Sequence, residues 1–297
     1  MTSSPLHEHR PAPGEGGGST AGSTPRVSIV VAAYRADPVQ FAAMIRSALA
    51  QTFADFELLV LEDPPHGVAG DAVAAAADQR CRHIANERPV DLATARNQLL
   101  QLARGELVAI LDADDVAMPD RLQRQVAFLD AHPEVTVLGA AIELVDSHDR
   151  TLGYHSFPTA HAEIARALRR RNPLAHPTVM FRRAAVLAVG GYRTLPNCTC
   201  DDYDLWSRLA LAGARLGNLP QPLLRYRVHA GATKARQLRA TLRDTLFLKR
   251  AHWAGQLDLG DRLRMLGERL LLLLPPAVVM ALFLRTQVSR TPPTEVL

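Results

Sequence analysis

The stretch Gly105–Asp115, GELVAILDADD, runs from a charged turn through five apolar residues into three carboxylates, Asp112, Asp114 and Asp115, within four positions. An apolar run of this length bounded by polar residues reads as a buried strand. Side chains alternate along a strand, so Asp112 and Asp114 project the same way and Asp115 continues into the turn. Carboxylates gathered at a strand end suit a hard divalent cation, Mn2+ or Mg2+, which takes oxygen ligands and brings a phosphate-bearing substrate. A solvated turn, or the N-cap of a helix starting near Pro119, accounts for the same acids more simply.

Working outward, Val27–Ala33 (VSIVVAA) and Phe56–Leu61 read as two more buried strands, and a short strand falls near His83. Helical spacing appears in Val39–Gln51, Asp71–Gln79 and Ala93–Ala103 between them. Strands alternating with helices imply crossovers and a mainly parallel sheet covered on both faces. Ligands of such sheets sit at the carboxyl ends of the strands. Three groups fall at that edge: Tyr34 after the first strand, Glu62 and Asp63 after the second, and the Asp112 cluster after the fourth. An aromatic ring, a carboxylate pair and an acidic cluster on one rim suit a nucleoside diphosphate, although Pro64 and Pro65 make a simple turn around Glu62 and Asp63 an alternative. Neither a Gly-x-Gly-x-x-Gly sequence nor a Walker loop is present, so metal and basic side chains would have to meet the phosphates.

Further along, a helix is expected from Pro119 to before Pro133, then two strands, Val135–Leu138 and Ile142–Val145, and a short helix at Ala184–Val189 stopped by Gly190 and Gly191. Cys200–Ala210 (CDDYDLWSRLA) opens a helix with Asp201, Asp202 and Asp204. Helix N-termini favour acids, each worth roughly 0.3–1 kcal/mol. Three acids in four positions exceed what a cap requires.

With 297 residues and 47% hydrophobic content, the chain can bury one large core. Three cysteines, Cys81, Cys198 and Cys200, do not make a paired disulfide framework, which suits a reducing cytoplasm. Residues 1–25 are polar and rich in Gly, Pro, Ser and His, with no apolar segment of a signal peptide, and read as a disordered leader. Between Lys234 and Arg290 stand eleven Lys/Arg against four Asp/Glu, beside the apolar run Leu270–Leu284. That run is shorter than the roughly 20 residues a spanning helix needs, and Pro275 and Pro276 interrupt it. Basic and apolar sequence together suggests peripheral contact with a membrane through residues 262–290, or a helical pair packed on protein. An aromatic content of 5% and no recognised motif argue against nucleic acid.

The chain resembles the family 2 glycosyltransferases, inverting enzymes of the GT-A fold. The resemblance is carried by PRVSIVVAAY (25–34), SALAQTFADFELLVLED (47–63), ATARNQLLQLARGELVAILDADD (93–115), MPDRL (118–122), GGYR (190–193) and DDYDLWSRLA (201–210), in that order. It implies an α/β GT-A domain over residues 26–232, Rossmann-like, with a helical extension over 233–297. It also implies a nucleotide-diphosphate sugar donor, UDP- or dTDP-linked, and a saccharide or lipid-linked acceptor in cell-surface glycan synthesis at the inner face of the cytoplasmic membrane. By the same resemblance Tyr34 and Asp63 meet the nucleobase, Asp114 and Asp115 the ribose and metal with Asp112 in support, and Asp202 is the general base. RYRVH (225–229) places Arg227 at the phosphates and His229 at the metal, while Asp201, Asp204, Glu62 and His176 are supporting positions. Pro64, Pro65 and His66 stand where the family usually has Gly-Ser, which puts the nucleobase loop in question. A nucleotide-sugar-binding protein without transfer activity and a nucleotidyltransferase are the alternatives; the latter normally shows a basic, Gly-rich loop where this chain has YRADP (34–38).

Overall fold

The computed structural model describes residues 7–8, 24–195, 198–228, 232–275, 278–279 and 288–293. Its centre is a set of parallel strands in the order β4 (Cys81–Ala85), β3 (Phe56–Glu62), β2 (Val27–Ala33) and β5 (Leu107–Ile110). Every residue of β3 and β5 is buried, which explains why they are apolar apart from Glu57 and Glu62: both sheet faces are covered. On one face Ile29, Val31 and Val60 pack against Phe41, Met44, Ile45 and Ala48 of α1 (Pro38–Leu49). On the other, Val30, Leu59 and Leu61 meet Leu99 and Leu100 of α3 (Leu92–Leu102) and Trp206 of α7 (Asp201–Leu211). Asp37 caps α1 by accepting from the Val39 and Gln40 amides at 3.0 Å, with Pro38 at the first helical position. Asp91 caps α3 by accepting from the Thr94 amide at 3.1 Å.

Past β5 the sheet departs from the expected mainly parallel arrangement and is mixed. β9 (Met180–Arg182) runs antiparallel to both β5 and β7 (Val135–Val145), β10 (Arg215–Arg227) is parallel to β7, and β6 (Val116–Ala117) is antiparallel to β10. β8 (Thr151–His155) pairs antiparallel with β7 outside this order. The physical reason is local: β9 is entered from the 3-10 turn His176–Thr178 instead of a crossover helix, so nothing imposes the parallel sense. The two strands expected at 135–138 and 142–145 are one, since Gly139, Ala140 and Ala141 stay buried in the ladder.

Four helices follow the expected positions with shifted ends: α2 (Val68–Ala76), α4 (Arg121–Ala131), α6 (Arg183–Ala188) and α7. α5 (His161–Leu168) and β10 were not foreseen. Within the expected leader, His7–Glu8 form β1, paired antiparallel with β4. The C-terminal extension packs on the domain: α8 (Ala232–Trp253) adds buried Leu248 and Trp253 to the core that holds Trp206, and Ser289 bridges Tyr154 through two 2.8 Å hydrogen bonds. α9 (Leu259–Leu271) follows.

The turn that delivers β5 depends on Gly105. A Cβ there would stand 2.6 Å from the Ser28 amide nitrogen and 2.8 Å from the Val27 carbonyl carbon, both main chain and unable to yield. Gly105→Ala is expected to lower stability by about 1–3 kcal/mol, the usual cost of overpacking, read as a reduced urea midpoint with an unchanged denaturant slope.

Candidate active site

Between β2 and β5 the strand order reverses, and at such a switch point the loops beyond the two strands turn apart and leave a crevice. Tyr34 stands at the mouth on the β2 side, 55% exposed, with the Arg35 guanidinium 5.2 Å from its ring centre. Two clefts meet at Tyr34, Ala32 and Leu92. One, of about 440 Å3, runs toward Asp63, Pro89 and Val90. The other, of about 430 Å3, runs toward Asp112, Asp114 and Arg96.

Asp63 is buried and held by Asn86 Nδ2 at 2.7 Å and the Val90 amide at 3.0 Å. Glu62, one residue earlier on the opposite side of the strand, does not line either cleft. Its carboxylate accepts from the Ala69 and Gly70 amides at 2.9 and 3.3 Å and lies 2.9 Å from His83 Nε2, fastening the start of α2. Those bonds, against the opposing effect of burial, lower its pKa.

At the end of β5, burial and the neighbouring Asp114 and Asp201 charges raise Asp112 to about 6, with Arg96 and Arg121 opposing. Asp115 is 1% exposed and its pKa stands well above the usual range, through burial and repulsion from Asp112 and Asp114. One carboxylate oxygen, Oδ1, accepts from the Arg227 amide at 2.9 Å. The other, Oδ2, is buried with no hydrogen-bond partner among the described residues. An orphaned carboxylate oxygen amid like charges is the donor set a hard cation would satisfy, so these residues fit Mn2+ or Mg2+. Among the described residues no three His, Cys, Asp or Glu side chains close into a ready cage. His229, expected at the metal, lies outside the described residues.

Arg227 serves a different contact from the phosphate contact expected of it. Its guanidinium is already committed: Nε donates to the Asp114 carbonyl at 3.0 Å, Nη1 to the Asp146 carbonyl at 3.1 Å and Nη2 to Asp149 Oδ1 at 2.8 Å. It is 4% exposed and ties the end of β10 to the acidic loop.

The second acidic cluster divides three ways. Asp201 is bound by Arg96 Nη1, at 2.7 and 2.6 Å to its two oxygens. Asp202 accepts from Asn172 Nδ2 at 2.7 Å and from the Tyr203 amide at 2.7 Å. Burial and the Asp201 charge raise it to about 6, with Arg96 and these two hydrogen bonds opposing. Asp204 lies away from the clefts, fully buried against Arg193, Arg208 and His252 at 2.6–2.8 Å. Hydrogen bonds to those three overcome its burial and hold its carboxyl far below the usual range. His176 is buried, 3.0 Å from the Tyr192 hydroxyl and 3.3 Å from Arg96 Nη2, and burial with the Arg96 charge keeps it neutral.

Arg96 therefore joins the parts. It lines the Asp112 cleft, grips Asp201 beside the candidate base, and touches His176. Sequence reasoning passed over it, although it occupies a position three and four residues from buried Ala93, Leu99 and Leu100 on α3. A charge in a buried helical stripe was the available signal.

A family model described as "Glycosyl transferase family 2" matches residues 28–190. The chain belongs to glycosyltransferase family 2, and its fold is of the GT-A type. It is similar to the amylovoran biosynthesis glycosyltransferase AmsE of Erwinia amylovora, 30% identical over 51% of this chain and 56% of that protein. It is also similar to the putative glycosyltransferase EpsE of Bacillus subtilis, 28% identical over 86% of this chain and 92% of that protein. A third relative, the UDP-Glc:alpha-D-GlcNAc-diphosphoundecaprenol beta-1,3-glucosyltransferase WfaP of Escherichia coli, is 27% identical over 75% of this chain and 85% of that protein. Among solved structures, a mannosyltransferase from Pyrobaculum calidifontis in complex with GDP-Man and Mn2+ superposes with a TM-score of 0.61 at 17% identity, covering 88% of this chain and 79% of that one. TarS of S. aureus in complex with UDP-GlcNAc gives 0.60 at 16% identity, covering 82% and 79%. At these identities the likeness is one of fold.

Arg96→Met is expected to leave Asp201 buried without its partner and to cost about 3–5 kcal/mol. Urea unfolding of the variant at neutral pH measures this, and the deficit should shrink in Arg96→Met/Asp201→Asn.

Proposed function

We propose that this glycosyltransferase binds a nucleotide-diphosphate sugar, UDP- or dTDP-linked, across the β2/β5 crevice and transfers the sugar with inversion to a saccharide or lipid-linked acceptor in cell-surface glycan synthesis. The observation that carries this reading is the orphaned, buried Asp115 Oδ2, one residue beyond the Asp114 that lines one cleft, with Tyr34 and Asp63 on the adjoining one. In the reading Tyr34 stacks on the base, and Asp63, fixed by Asn86 and the Val90 amide, accepts a hydrogen bond from it. Asp112, Asp114 and Asp115 would hold Mn2+ or Mg2+, which when bound supplies positive charge where the leaving diphosphate becomes more negative. Arg227 keeps the acidic loop in place through the Asp114 carbonyl.

Asp202 accepts the proton of the attacking acceptor hydroxyl in this proposal. A carboxylate raised toward 6 is a stronger base than one at its ordinary value and is still ionised at neutral pH. Arg96, by binding Asp201, limits how far the neighbouring charge raises Asp202. The named acceptor of the Escherichia coli relative is a lipid diphosphate, which supports a lipid-linked acceptor and peripheral attachment at the inner face of the cytoplasmic membrane.

Calorimetric titration with UDP, GDP, CDP and dTDP, with and without Mn2+, tests the donor site. Mn2+ is expected to tighten UDP or dTDP binding by about tenfold or more, 1.4 kcal/mol per factor of ten; absence of binding in every condition overturns the reading. Asp202→Asn should keep this nucleotide affinity while transfer falls by about 10^2–10^4-fold. The wild-type kcat/KM is expected to decline as pH drops below about 6, because the base must be unprotonated. Undiminished turnover by the Asn variant would remove Asp202 from the role.

A further inference from the structure

Helix α9 is amphipathic in the inverted sense. Leu259, Leu263, Leu266, Leu270 and Leu273 recur at spacings of four and three, which places them on one narrow stripe of the helix and its continuing turn. That stripe faces out, each leucine being 53–78% exposed. The acids are turned inward. Asp261 is 2% exposed and accepts from Arg170 Nε at 2.5 Å, while Glu268 accepts from the buried Lys249 Nζ at 2.5 Å. Met265, on the same inner side, is buried. Among the described residues of α9, every exposed charged side chain is an arginine: Arg262, Arg264 and Arg269. At 100° per residue, Arg262 and Arg269 edge the leucine stripe on one side, while Arg264 lies toward the back of the helix, where its Nε donates to Glu268 at 3.3 Å.

A helix whose outer face must meet water carries its leucines inward and its acids outward. Here the reverse is built and held by two ion pairs. We infer that the outer face of α9 docks on an anionic phospholipid surface, its leucines entering the interface and its arginines meeting the headgroups. The inference deepens the membrane attachment proposed above and rests on it for its purpose. A second copy of the chain fits less well, because apposing two such faces would bring Arg262 and Arg269 of each together, and the one exposed acid among the described residues of the helix and its cap, Asp258, lies at the far N-terminal end. No described helix is long and apolar enough to cross a bilayer, so the contact is with one leaflet.

The docked helix is also tied to the site. Arg169 Nη1 donates to the Gln256 carbonyl at 3.1 Å and Arg170 holds Asp261, while two residues on Asn172 holds Asp202. A lipid-linked acceptor reaching the protein at α9 thus meets it on the side of the candidate base.

The test is sedimentation of the full chain with vesicles of phosphatidylcholine alone or with added phosphatidylglycerol. Binding is expected only with the anionic lipid, to weaken with salt, and to fall about fivefold for each neutralisation in Arg262→Gln and Arg269→Gln. Leu263→Ser/Leu266→Ser/Leu270→Ser should abolish it, with an unchanged melting temperature because these side chains are exposed. Equal partition onto both vesicle types, retention of the wild type in the supernatant, or a dimer in ultracentrifugation that the leucine variant dissolves would each overturn the proposal. Metal-dependent nucleotide binding without vesicles reads the donor site separately, so the two failures are told apart.

Discussion

Three carboxylates crowded at the end of β5 repel one another in a place where water screens them little, and much of the surrounding structure answers that repulsion. Three arginines from three elements converge on it. Arg96 comes from α3, and Arg121 comes from the first turn of α4, donating to the Ile110 carbonyl at 2.7 Å and to Gln125 at 3.1 Å. Arg227 comes from the end of β10. Arg121 is 2% exposed, and burial lowers it to about 10 in spite of the Asp115 and Asp112 charges. Burying a guanidinium costs several kcal/mol unless charge and hydrogen bonds offset it, so its placement is explained by the acids above it. The compensation is incomplete, since Asp112 and Asp115 still hold raised pKa values. A site left short of positive charge is one prepared to take more.

The elements that could be read from sequence are those whose local pattern and environment agree. β2, β3 and β5 are covered on both faces, so their sequences are largely apolar, and α1 and α3 carry capping aspartates immediately before their apolar stripes. β10 escaped because Pro220 and Pro222 interrupt it and shift its register against β7, which sequence rules read as a loop. Tyr34, Asp63 and the Asp112 cluster could be placed on one rim because strand ends define that rim. Arg96 and Arg121 could not, since their significance lies in what they meet across the fold. Conversely, Glu62, Asp204 and Arg227 carry the right chemistry for a site, yet the structure commits them to helix starts, helix packing and loop bracing.

The α9 stripe shows how a sequence pattern can leave its direction undetermined. Leucines at spacings of three and four mark a face that leaves water; they do not say what covers it. The direction is set by Asp261 and Glu268, whose partners Arg170 and Lys249 lie on α5's trailing turn and on α8. Those partners are distant in sequence, so the inversion exists only in three dimensions.

Asp201, Asp202 and Asp204 make the same point within one helical turn. All three begin with similar intrinsic acidity and share the favourable field of a helix N-terminus. Asp204 gains two arginines and a histidine, and its charged form is stabilised far more than burial penalises it. Asp201 is gripped by a guanidinium and spends its charge there. Asp202 receives only an amide side chain and one backbone amide, neither of them charged, while the Asp201 carboxylate beside it disfavours ionisation. Asp202, with no cationic group bonded to it, has its affinity for a proton raised, while that of Asp204 is lowered. In this turn it is environment, not residue type, that separates a candidate base from two structural anchors.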